Sequence, residues 1–160
     1  MKKEVEKLLQ YVQKPARYIG GELNAVVKDK DKIDIRYAFC FPDTYEIGMS
    51  HLGMKILYGL VNDREDSWCE RVFAPDNDME EQLRKNNVPL FALESGDYIK
   101  DFDMIGFTLQ YELSYTNVLN MLNLAQIPLK SSGRKNLTPL ICVGGPCACN
   151  PEPITDFVED

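Results

Sequence analysis

Basic charge is scarce in this sequence. Eighteen Lys and Arg face 25 Asp and Glu, a net of −7, and the acidic residues are spread along the chain rather than gathered in a tail. Such a surface repels phosphate backbones and has no basic stripe, which disfavours direct nucleic-acid binding by this chain. No apolar run approaches membrane-spanning length. The start, MKKEVEKLLQYVQ, also lacks the apolar core and small-residue cleavage site of a secretory signal, so the chain reads as cytoplasmic, with no membrane contact. Its five cysteines are odd in number and lie in or beside apolar runs, which suits reduced thiols rather than a disulfide framework. Neither G-x-G-x-x-G nor a P-loop is present, so phosphate cradling lacks its signature. A phospho-acceptor site fits poorly as well, because Asp43 and Glu46 have no lysine at the end of the last predicted strand.

What is present is enough for one compact domain: 160 residues with 44% hydrophobic content. Val5, Leu8, Leu9 and Val12 form the stripe of a leader helix that Pro15 ends. After a charged turn, the first strand is expected at 33–41. Met49, Leu52, Gly53, Ile56, Leu57 and Leu60 then mark the expected buried face of a helix. Further strands are expected at 68–75, 89–95, 101–111 and 137–145, with helices at 77–87 and from Tyr115 through Leu122. Strands alternating with helices predict an α/β fold: a doubly wound, mainly parallel, Rossmann-like (flavodoxin-like) five-stranded sheet behind an N-terminal leader helix. The expected organisation is a leader over 1–32 and an α/β domain over 33–160. The last residues, PEPITDFVED, start a helix or turn without a closing strand, so the chain reads as a fragment of a longer protein.

Three segments then fall at the carboxyl edge of the expected sheet, where open α/β sheets bind ligands: PDTYEIG, TLQYELSYT and GGPCACNP. If they converge, Asp43, Tyr45, Thr108, Ser114 and bare glycine backbone share a pocket. Gly48 either lets the main chain approach a bulky ligand or serves a plain strand-to-helix turn capped by Asp43. Gly144 and Gly145 are either a ligand ledge or a close packing contact.

Asp43-Thr44-Tyr45-Glu46-Ile47-Gly48 resembles the Asp-x-His-x-x-Gly motif of cobalamin-binding domains, with tyrosine in the histidine position. Thr108-Leu109 loosely resembles that family's second segment, and Gly144-Gly145 its third. The longer stretches RYIGGELNAVV, FPDTYEIGMSHLGMKILYGL, ERVFAPDNDME, FTLQYELSYTNVLNML and GGPCACNPEP are similar to the amino-terminal region of radical S-adenosylmethionine (SAM) proteins with a cobalamin-binding-type domain. The resemblance implies an accessory domain holding base-off cobalamin without a histidine ligand, since a neutral phenol is a poor cobalt donor. The implied contacts are Asp43, Thr44, Tyr45, Glu46, Ile47, Gly48, Thr108, Leu109, Ser114, Gly144, Gly145 and Pro146. The 4Fe-4S cluster and S-adenosylmethionine would belong to a covalently following radical SAM domain, this chain alone not being catalytic. The alternative is a degenerate domain that binds substrate or a partner protein and no corrin. Tyr45 separates the two readings.

His51 either hydrogen-bonds a ligand or caps its helix, and Tyr111 and Tyr115 either line the pocket or belong to the core. The cysteine gaps contain no C-x-x-x-C-x-x-C, so a radical SAM cluster has no thiolates here. Cys147 and Cys149 lack the second Cys or His pair of a zinc site and read as free thiols.

Overall fold

The computed structural model describes residues 2–159. Its sheet has four strands, β1 (Ile35–Phe41), β2 (Ser67–Phe73), β3 (Met104–Thr108) and β4 (Leu140–Gly144), in the order β2-β1-β3-β4. Every pairing is parallel. This is the flavodoxin-like order: the chain runs outward from β1 to β2, then returns past β1 to β3. With right-handed crossovers that reversal puts helices on both faces.

The helices are α1 (Lys3–Leu8), α2 (Tyr45–Ser50), α3 (Leu52–Asn62), α4 (Asn77–Asn86) and α5 (Tyr115–Leu124). Strand period 2 sorts the core into two layers. Ala38, Cys40, Ile105 and Ile141 point to one face and pack with Val5 and Leu8 of α1, Met79 and Leu83 of α4, and Val118 and Leu122 of α5. Phe39, Phe41 and Cys69 point to the other, under Met54 and Tyr58 of α3. In α4, Asp78 and Glu80 stand in the first turn and Arg84 and Lys85 in the last, an arrangement that complements the helix dipole.

Two expectations fail. The sheet has four strands, not five, because 89–95 is apolar and buried but makes no ladder. Its backbone donors go to different elements: Leu90 N–H to the Leu124 carbonyl (3.0 Å) and Leu93 N–H to the Arg71 carbonyl (2.9 Å). It then turns back at Gly96 (φ 72°), leaving one isolated bridge between Phe91 and Tyr98. The expected buried face of α3 is also inverted. Met54, Tyr58 and Asn62 are buried, while Leu52, Ile56, Leu57 and Leu60 are exposed. A helix apolar on nearly every side gives its stripe no unique direction, and a polar residue decides the matter. The Asn62 amide donates to the Cys69 carbonyl and accepts from the Cys69 N–H, both at 3.0 Å, fastening α3 to β2. The other strands begin or end within a few residues of their expected bounds.

Candidate functional site

The three sequence-chosen loops meet at the carboxyl ends of the strands. The Leu109 N–H donates to the Gly144 carbonyl (2.7 Å), and the Leu109 carbonyl accepts from the Cys147 N–H (3.2 Å). The Asn117 amide donates to the Pro42 carbonyl (2.9 Å). The Tyr111 hydroxyl donates to the Asp43 carboxylate, which holds the phenol's proton and moves its pKa above the ordinary value. The other Asp43 oxygen accepts from the Thr44 N–H at 2.7 Å, so Asp43 ties its own loop to the one after β3. It is not the cap of α2: Thr44 occupies that position, without a side-chain bond. Ser114 is buried, its hydroxyl donating to the Tyr111 carbonyl (2.6 Å). The Gln110 amide donates to the Thr108 hydroxyl at 2.6 Å.

The second half of the motif turns the other way. The Tyr45 hydroxyl donates to Glu22 of the leader (3.0 Å), and its ring meets Phe73 edge-on at 5.5 Å. Burial, then that carboxylate, raises the phenol's pKa. Glu46 pairs with Arg17 at 2.7 Å, a hydrogen-bonded contact that lowers its pKa. Arg17 also reaches Asp76, so one guanidinium spans the ends of β1 and β2. Ile47 is exposed. An open polar basin of about 560 Å³ lies in front of this junction, lined by Lys14, Arg17, Asp43, Thr44, Asp76 and Asn117 among others.

The glycines differ in kind. A Cβ on Gly48 would sit 2.3 Å from the Phe73 ring, so its bareness serves packing. At Gly145, with φ +93°, a Cβ would lie 2.7 Å from the Leu109 carbonyl oxygen. Gly106 of β3 is covered by the Tyr37 phenol, which fills the place a Cβ would take. Gly144 alone of these faces open space; Pro146 opens the short 3-10 turn that follows, Pro146–Cys149. His51 resolves as a cap, its Nδ1 accepting from the Met54 N–H at 3.1 Å. Tyr115 stands 3.5 Å from the Cys147 carbonyl. No cluster of three or more His, Cys, Asp or Glu among the described residues suits a metal ion.

Several important side chains escaped sequence reasoning. Glu70 and Arg71, neighbours in β2, are buried and point to opposite faces. Glu70 receives Arg36 and the Ser95 N–H. Arg71 donates to Glu94 (2.6 Å) and Glu22 (3.0 Å), and its guanidinium lies 4.7 Å from the Tyr58 ring centre. Burial raises the Glu94 pKa, and Arg71 only partly counters it. Adjacent opposite charges inside WCERVF were the available signal, since each must find its own partner.

Residues 53–160 match the family described as radical SAM proteins, N-terminal. The chain belongs to this family. It is also 28% identical over 123 residues to an uncharacterized protein of Methanocaldococcus jannaschii, a match covering 76% of this chain and 22% of the relative. No solved structure matches. The family position agrees with a radical SAM domain following in the same polypeptide. No helix among the described residues is long and apolar enough to cross a membrane.

Proposed function

We propose that this chain is an accessory α/β domain that works without a corrin, its carboxyl rim orienting substrate or the neighbouring catalytic domain of a radical SAM enzyme. The iron-sulfur cluster and S-adenosylmethionine would sit on the polypeptide that follows. The observation that carries this reading is the orientation of Tyr45. At the position where a cobalamin domain presents its cobalt ligand, the phenol is committed to Glu22 and Phe73. The residues present do not fit a corrin as they stand. Gly48 and Gly145 are closed by Phe73 and Leu109. What remains at the rim is hydrogen-bonding surface: the Asp43–Tyr111 pair and the polar basin beside it. Such groups orient a polar partner and leave the reaction to a cofactor elsewhere. A cytosolic setting agrees with five cysteines, none of them joined in a disulfide.

The competing reading, base-off cobalamin held by the same loops, draws support from their convergence and from the open ledge at Gly144. Gel filtration of the protein with excess hydroxocobalamin separates the two. Elution without corrin absorbance is the expected result. Co-elution with a shifted corrin spectrum, abolished by Gly144→Leu, would overturn the corrin-free proposal.

A further inference from the structure

Helix α3, LGMKILYGLVN, is apolar almost all the way round, and such a helix is normally enclosed on every side. Here only one side is enclosed. Met54 and Tyr58 face the sheet, while Leu52, Ile56 and Leu60, one helical turn apart, are 68%, 52% and 59% exposed, with Leu57 beside them at 50%. Next to this stripe, α3 and the leader border an open, mainly apolar cavity of about 370 Å³, lined by Val26, Met49, Met54, Tyr58 and Gly59, with Glu22 and Arg71 as charged members of its wall. A Cβ at Gly59 would meet nothing within 4 Å, so the hollow reaches the helix backbone. A contiguous apolar stripe beside an empty apolar hollow has the form of a contact surface with a socket for an anchor side chain.

We propose that the occupant of this surface is a later part of the same polypeptide, docked on the outer face of α3 with an apolar side chain in the cavity. The proposal rests on family membership and on no reading of the carboxyl rim. The family is the amino-terminal part of radical SAM proteins, and this chain spans 22% of the length of the relative it matches. Area separates this occupant from a second copy. Four side chains at these exposures offer on the order of 400 Å², well below the roughly 800 Å² per partner of a stable dimer. Counted over both partners it is roughly 800 Å², within the range of about 600–1,500 Å² for domains of one chain, whose tether holds them at high effective concentration.

Hydroxyl-radical footprinting of the 160-residue chain and of the longer polypeptide tests this, with exposed Leu137 as the internal reference. Oxidation of Leu52, Ile56 and Leu60 should fall at least about fivefold in the longer polypeptide, while Leu137 is unchanged. Gly59→Leu, placed where a Cβ meets open space, should restore the oxidation of all three residues, and the double variant Ile56→Glu/Leu60→Glu should restore that of Leu52. Equal oxidation in the two forms would overturn the proposal. So would protection that grows with protein concentration, because that result identifies a second copy. Hydroxocobalamin retention is read separately and does not bear on this outcome.

Discussion

The two sides of the sheet are finished differently. The β2 edge is sealed. Its outward backbone groups at Cys69 are taken by Asn62, and those at Arg71 by Glu94 and Leu93. The leader then runs across it: the Trp68 indole donates to the Val26 carbonyl (2.9 Å), and Lys28 donates to the Asn62 and Ser67 carbonyls, both at 2.7 Å. On the β4 side Glu159 satisfies the outward groups of Ile141, but Leu140, Cys142 and Val143 are only half-buried and Gly144 is exposed. An unsealed edge invites pairing with other chains, and proteins blunt it with charges and covering segments. The contrast teaches that a buried ion pair here helps to close an edge: Glu94, held by the Arg71 guanidinium, takes the residue-71 N–H that would otherwise meet solvent.

The harshest way to break that contrast is to unpair the seal. Arg71→Leu leaves the Glu94 carboxylate buried without its cation and should cost about 3–5 kcal/mol in urea unfolding. Arg71→Leu/Glu94→Leu should recover only part of the loss, because the residue-71 N–H then lacks the acceptor that Glu94 supplies. Full recovery in the double variant would show that the Glu94 carboxylate is not what closes the edge. On the β4 side the effects should be smaller and position-specific. Gly145→Ala, forced to φ +93° against Leu109, should cost about 1–3 kcal/mol. Gly144→Ala, facing open space, should stay within about 0.5 kcal/mol, and thermal melts of the pair locate where the open half begins.

The weakest effect is electrostatic. Burial alone would raise the Asp97 carboxyl, but the hydrogen bond from Lys30 and the charges of Lys30 and Arg36 outweigh it and hold the pKa below the ordinary value. A carboxyl depressed on folding stabilises above its unfolded pKa, about 3.9, and that contribution is lost as pH falls through the folded value. Asp97→Asn should therefore flatten the acid limb of the stability profile below about pH 4 and leave its slope at neutral pH unchanged.

Much of this molecule is written in local pattern. The alternation of IDIRYAFCF, the stripe Val5–Leu8–Val12 and the strand-helix rhythm determined the α/β class and the parallel connections, because period and crossover handedness need no long-range information. Those connections also brought the Asp43, Leu109 and Gly144 loops to one rim. Local pattern could not say which way Tyr45 points, since Glu22 and Phe73, which hold it, arrive from distant segments. It could not orient α3, whose near-uniform apolarity left the choice to Asn62 gripping Cys69. Nor could it tell the buried stretch 89–95 from a strand, because burial follows from hydrophobicity whereas a ladder needs a neighbour with groups in register, and β2 offered that neighbour mainly side-chain and single backbone contacts.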